Sequence, residues 1–314
     1  MQETNKTRWA LILNPHAGGG KGRRDKKMIE NLLKSNGFEY DLLVSEYPRH
    51  AILLAKSAVQ NGYLHFIVAG GDGTLNEVAN GILEANNSYQ NKVTIGVIPI
   101  GTGNDWIRTF GIPNGYQGAI DKITECKTFL QDIGKIVFSE NGNESTRYFS
   151  NMAGFGFDAL AAQKANNLKE KGHSGIRVYL LSILKAYKEY KTQRVQIILD
   201  GEIVDDLIFS ASVGIGKFNG GGMMQAPGAI PNNGIFEVTI IKKIGIFGIL
   251  RNLVGLYNGN FVNDPHVACY RAKNISIHSP GLIAGEVDGE SLGNSRFHIE
   301  ILPQKLQMIV GEIK

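Results

Sequence analysis

Over the first third of the chain, short runs of Val, Ile and Leu alternate with segments of helical period. WALILNP (9–15), YDLLVSE (40–46), LHFIVAGG (64–71) and VTIGVIPIG (93–101) are dense in apolar residues, as strands buried on both faces are. Between them, Met28, Ile29, Leu32 and Leu33 recur at helical spacing around Asp25–Asn36, HAILLAKSAVQNG (50–62) reads as a second helix, and Leu75, Val78, Ala79, Ile82 and Leu83 stripe a third. This rhythm predicts a parallel, Rossmann-like α/β sheet with helices on both faces.

Past about residue 130 the pattern changes. RYFSNMAGFGF (147–157), RVQIILDG (194–201), LIFSASVGIG (207–216), GIFEVTII (234–241), NISIHS (274–279) and FHIEIL (297–302) are short runs separated by glycine turns. They predict a mainly antiparallel β-sandwich, interrupted by helices around Ile176–Lys188 and Ile246–Asn258.

Composition narrows the picture. With 314 residues, 43% hydrophobic and 20% charged, the chain is globular, and its 39 glycines exceed the usual share of about 7%. The net charge of +4 is scattered, so nucleic-acid binding is not indicated. One cluster, Lys21, Arg23, Arg24, Lys26 and Lys27, reads either as a solvated helix face or as an attractor of phosphate or an anionic membrane surface. Cys126 and Cys269 lack metal-ligand neighbours, and a reducing cytosol is the expected compartment. The N-terminal residues do not read as a signal peptide, and the apolar run from Ile244 is broken by glycines and Arg251. His16, His50, His65 and His173 show no ligand spacing and receive no role.

The densest chemistry lies in VAGGDGTLNEVANGI (68–82). Gly70 and Gly71 end a strand, Gly73 lets the chain enter a helix, and Thr74 adds a hydroxyl. Helix N-termini with bare backbone attract phosphate. Asp72 would repel one unless Mg²⁺ lies between them, which is what a nucleoside triphosphate brings. Leu75, Asn76 and Glu77 complete the first turns of the helix. A second turn of the same kind, PIGTGNDW (99–106), carries Thr102 and Asp105. Two such turns at the carboxyl ends of adjacent strands would converge on one crevice. NPHAGGGKG (14–22) is not a Walker A loop, because Pro15 stands where the first glycine should be and Gly22 follows the lysine.

NPHAGGGKG, GGDGTLNEVANGI, PIGTGNDWIRTFGIP, QDIG, FSNMAGFGFDA, GGGMMQAP and EVDGE occur in the order of the diacylglycerol kinase catalytic-domain family, which this chain resembles over nearly its whole length. The resemblance implies a nucleotide-binding domain over 1–131, to which 303–314 returns, and a β-sandwich lipid-substrate domain over 132–302. It implies ATP and Mg²⁺. Asn14, Ser45 and the Gly70–Asn76 loop would hold the nucleotide, with Thr102 on phosphate. Asp72, Asp105 and Asp132 would order Mg²⁺ through water. In EVDGE (286–290), Glu290 would be the general base for the acceptor hydroxyl, with Asp288 assisting through metal-bound water or by orienting the acceptor.

At PNNGIFEV (231–238) the sequence departs from the pattern, with Asn233 in place of an aspartate that holds a structural Mg²⁺ in many bacterial members. Ile230 and Ile235 would supply backbone carbonyls to that site, but a neutral amide lacks the carboxylate's charge. The implied function is an ATP-dependent lipid kinase converting diacylglycerol to phosphatidic acid. A sphingoid-base, ceramide or other lipid kinase, an NAD kinase, and a nucleotide-binding regulator without turnover stay open as alternatives. A membrane lipid acceptor requires transient association with the inner membrane surface, for which the Lys21–Lys27 cluster and the Ile246–Tyr257 segment are candidates. An exposed sheet edge would support a homodimer.

Overall fold

Strands that bury both faces need helices on both sides, and the first third of the chain supplies them in alternation. The computed structural model describes residues 7–85, 92–101, 103–140, 142–161, 186–187 and 189–313. It divides into two compact units, Met1–Gln131 with Gln304–Lys314, and Asp132–Pro303.

In the first unit, strands β1 (Arg8–Leu13), β2 (Glu39–Val44), β3 (His65–Gly70) and β4 (Thr94–Pro99) alternate with helices α1 (Ala17–Ser35), α2 (His50–Gln60), α3 (Asp72–Glu84), α4 (Asp105–Phe110) and α5 (Tyr116–Glu125). The sheet order is β2-β1-β3-β4, all parallel, and Gln307 and Met308 near the C-terminus add a further parallel partner to β4. Leu11, Leu13, Ile29, Leu33, Ile67, Ala69, Ile98 and Ile120 form its core. Two details differ from the sequence pattern. Helix α1 starts at Ala17, eight residues ahead of the expected start at Asp25, because Gly18, Gly19 and Gly20 wind left-handed ahead of the regular turns. Met28, expected on its buried face, is exposed.

The second unit is antiparallel. Its strands are β5 (Thr128–Glu140), β6 (Asn143–Phe149), β7 (Met152–Gly156), β8 (Gln193–Leu199), β9 (Glu202–Gly214), β10 (Phe236–Lys242), β11 (Val267–Ala272), β12 (Asn274–His278), β13 (Ile283–Val287), β14 (Glu290–Ser295) and β15 (Phe297–Ile309). The chain crosses from one unit to the other within β5 and again within β15. A helix, α6 (Ile246–Asn258), follows β10. Most of the helix expected at 176–188 lies outside the described residues.

The main ladder runs β14-β13-β7-β9-β8-β12-β15, with β10 pairing β9 and β11, and β5 pairing β6. Phe149, Phe155, Phe236 and Phe297 anchor the core among Ile136, Val195 and Ile275. The run expected as one strand over 147–157 is split at Ser150 and Asn151, whose backbone N–H groups turn to a carboxylate instead of a neighbouring strand.

Candidate functional site

The first unit assembles its polar residues at the carboxyl ends of β1, β3 and β4. Asn14, just past β1, donates its N–H to the Ala69 carbonyl at 3.0 Å, and its side-chain Nδ2 reaches Thr74 Oγ1 at 3.0 Å. The end of β1 is thereby tied to the first turn of α3.

The two glycine turns meet. Ile100 N–H donates to the Gly70 carbonyl at 2.8 Å. A Cβ on Gly101 would stand 2.8 Å from Gly71 Cα and 2.5 Å from Asn104 Oδ1, so only glycine permits this backbone approach. Asp72, at the start of α3, accepts the N–H groups of Asp105 and Trp106, each at 3.0 Å. It thus caps α4 from a neighbouring element, where a negative charge is favoured. Each carboxylate oxygen carries two lone pairs, so these two bonds leave capacity for further ligands.

Asp105 is buried and pairs with Arg108 Nε at 3.5 Å. The position a Cβ would take on Gly103 lies 3.4 Å from Asp105 Oδ2 and 3.6 Å from Asp72 Oδ2, so the two acids face one another across that glycine. Asn104, left-handed at φ 49°, donates to the Gly101 carbonyl and to Asn114 Oδ1, while its own buried Oδ1 has no partner among the described residues.

Other expected loop residues have different duties. Leu75 is in the core, and Asn76 accepts the Asn80 amide at 3.1 Å within α3. Glu77 accepts the N–H groups of Arg49 and Ala51, at 3.0 and 3.1 Å, and so holds the start of α2. Ser45 is buried one residue past β2, its N–H on the Leu13 carbonyl at 3.0 Å. Thr102 lies outside the described residues.

The second unit carries the remaining expected acids. Asp132 is fully buried, and its Oδ2 accepts Gly234 N–H at 2.7 Å. Asn233 Oδ1 accepts Ile235 N–H at 3.1 Å, and the Ile230 carbonyl accepts Asn233 N–H at 3.5 Å, so this loop closes through its own backbone.

EVDGE forms the hairpin between β13 and β14, with Asp288 and Gly289 both left-handed at φ 47° and 86°, the geometry of a tight two-residue turn. Asp288 Oδ1 accepts Asn151 and Met152 N–H at 3.1 and 2.9 Å, and its Oδ2 accepts Ser150 N–H and Oγ–H at 2.9 and 3.3 Å. Four donors match the carboxylate's lone-pair capacity. The group expected to assist through metal-bound water or by orienting the acceptor also ties the hairpin to the break in the 147–157 run. Glu290, by contrast, is exposed, and among the described residues its carboxylate has no side-chain hydrogen bond or ion pair.

Sequence reasoning passed over Glu286. It is buried at 1% exposure; Oε2 accepts Gly289 N–H at 2.7 Å, and Oε1 accepts Asn219 Nδ2 at 3.3 Å. Burial, reinforced by the charges of Asp288 and Asp158, pushes its pKa up to about 8. The signal was Gly154, directly opposite on β7, where a Cβ would stand 2.6 Å from Glu286 Oε1. A glycine inside an apolar strand makes room for a neighbour's side chain.

Comparison with known proteins agrees with this architecture. Residues 8–136 match the model of the diacylglycerol kinase catalytic domain, and residues 151–310 match that of the YegS C-terminal NAD kinase beta sandwich-like domain. A diacylglycerol kinase of Staphylococcus carnosus (strain TM300) is 29% identical over 307 residues, covering 96% of each chain. YtlR of Bacillus subtilis (strain 168), provisionally named a lipid kinase, is 30% identical over 316 residues, covering 96% of this chain and 98% of the relative. A Bacillus anthracis str. Sterne crystal structure, provisionally assigned as a diacylglycerol kinase, superposes with TM-score 0.77 at 26% identity, covering 98% of this chain and 99% of that one.

Proposed function

The chain belongs to the diacylglycerol kinase catalytic-domain family of lipid kinases, and from that premise we propose that it transfers the γ-phosphoryl group of ATP to the free hydroxyl of diacylglycerol, forming phosphatidic acid. The observation that carries the proposal is the meeting of the two glycine turns through Asp72, which supports a phosphate site with a carboxylate in reserve. The similarity to the diacylglycerol kinase of Staphylococcus carnosus supports diacylglycerol as acceptor.

Phosphoryl transfer demands positioning, charge neutralisation and a group that takes the hydroxyl proton. The donor set fits a hard cation: Asp72 keeps unused lone pairs, and Asp105 faces it across Gly103. These two residues would hold Mg²⁺ through water, and the metal would neutralise charge on the phosphates during transfer. Backbone N–H groups at Gly71–Gly73 and the Thr74 hydroxyl would bind phosphate oxygens. Glu290, exposed beside the stapled turn, would accept the proton of the acceptor hydroxyl. Asp288 and Glu286 would keep that turn rigid from below.

A diacylglycerol acceptor lies in a bilayer. Among the described residues, no helix is long and apolar enough to cross one. On the proposed reading the enzyme meets its substrate at the cytoplasmic face as a peripheral protein. Val254 and Tyr257, exposed on α6, and the Lys21–Lys27 cluster are the contact candidates.

The test is label transfer from γ-labelled ATP with Mg²⁺ into mixed micelles containing diacylglycerol, a sphingoid base, ceramide or phosphatidylglycerol, with NAD in a parallel tube. Label in phosphatidic acid alone is expected. Label only in another lipid would change the acceptor, and label only in NAD would overturn the lipid-kinase proposal.

A further inference from the structure

At the carboxyl end of β2, just past the buried Ser45, the rings of Tyr47 and His50 lie stacked, with centroids 4.3 Å apart and planes within 8°. The pair is held from several sides. Glu46 N–H donates to His50 Nδ1 at 3.1 Å, and His50 N–H donates to the Tyr47 carbonyl at 3.1 Å. A neutral His50 therefore carries its proton on Nε2.

Arg49, between the two rings in sequence, is left-handed at φ 69°, a conformation disfavoured for a residue with a side chain. Glu77 holds it there, with one carboxylate oxygen on Arg49 N–H and the other on Ala51 N–H. Glu77 belongs to α3, whose first turn is the Asp72–Thr74 glycine loop. One helix thus braces both the ring pair and the candidate phosphate site. Strain maintained by a specific clamp is commoner at ligand sites than elsewhere.

The outer face of the pair is open, since Tyr47 is 53% exposed while His50 backs its other side. A packed aromatic on an otherwise polar turn could be a chance surface contact. The place of the strand that leads into it argues for more. In the sheet order β2-β1-β3, the end of β2 is two strand spacings from the end of β3, or about 10 Å. That gap suits the ribose and first phosphates of a nucleotide whose terminal phosphates lie at Gly71–Thr74.

We propose that Tyr47, backed by His50, is the platform on which the adenine ring of ATP stacks. The assignment rests on the ATP-dependent reading above and adds to it the residues that recognise the base. An aromatic ring accepts the π-face of a base, and removing such a ring weakens binding by on the order of tenfold. The Tyr47 hydroxyl has no part in this.

The experiment is calorimetric titration of MgATP and of magnesium tripolyphosphate, which has no base, into the full chain and its Tyr47→Ala and Tyr47→Phe variants. Tyr47→Ala is expected to bind MgATP about tenfold more weakly while binding tripolyphosphate as the wild type does, and Tyr47→Phe is expected to keep MgATP affinity. Unchanged MgATP affinity in Tyr47→Ala would overturn the platform while leaving the ATP reading intact. Equal losses for both ligands would also overturn it, because the turn would then be supporting the phosphate site and not the base. If the wild type bound tripolyphosphate but gained nothing from the adenosine of MgATP, the platform would fail again. Failure of the wild type to bind MgATP at all would remove the ATP reading and the platform together.

Discussion

Asp72 and Asp288 are alike on paper and different in place. Each follows a buried strand, each sits beside a glycine, and each accepts backbone N–H groups from a distant segment. Asp72 takes two donors and faces Asp105 across Gly103; Asp288 takes four and is filled. The difference is between a carboxylate that organises its loop with capacity left for a cation and one wholly spent on architecture. A motif reports the residue type but not the number of donors that converge on it.

Substitutions test this difference between the two carboxylates. Glu290→Gln, which alters the exposed carboxylate beside the filled one, should lower turnover by about 10² to 10⁴ while calorimetry finds MgATP affinity unchanged. Asp72→Asn should weaken MgATP binding by about a hundredfold and make it nearly independent of Mg²⁺ concentration. Asp288→Asn should instead cost about 3 kcal/mol of stability in denaturant unfolding, since an amide NH₂ facing buried N–H donors leaves them unsatisfied. If Asp288→Asn spared stability and removed the Mg²⁺ dependence, the two aspartates would have been assigned the wrong way round. Gly101→Ala should push the two glycine turns apart, weakening MgATP binding roughly tenfold and costing about 1–3 kcal/mol of stability.

A further expected effect is on pH dependence. Glu286 ionises near pH 8 in the folded chain, far above its ordinary value of 4.5. Between those limits the folded state holds a proton that the unfolded state releases, so this group's contribution is full below about pH 4.5 and is lost as pH rises through about 8. Glu286→Gln keeps an acceptor for Gly289 N–H and should flatten the decline in stability between pH 5 and 8. Chemical unfolding at several pH values would show it, and an unchanged slope would mean that Glu286 is ionised in the fold.

Much of the first unit was legible because its signals are local. Continuous apolar runs mark strands covered on both faces, and glycine turns mark backbone approach, as Gly71 and Gly101 show. The meeting of those turns follows from parallel strands delivering their carboxyl ends to one side of a sheet. The second unit was legible as a β class but less so in detail. The break at Ser150 and Asn151 depends on Asp288, more than a hundred residues away in sequence. The burial of Glu286 depends on Gly154 across a strand pair. The Tyr47–His50 stack was not legible, since His50 opens the second helix while Tyr47 lies in the turn before it, and no period relates the two rings.

The most direct measurement is phosphatidic acid formation from diacylglycerol micelles and γ-labelled MgATP, run side by side for the wild type and Glu290→Gln at matched nucleotide occupancy. The account predicts labelled phosphatidic acid from the wild type and a loss of at least about a hundredfold in the variant. Equal rates from the two proteins, or no labelled lipid from the wild type, would contradict it.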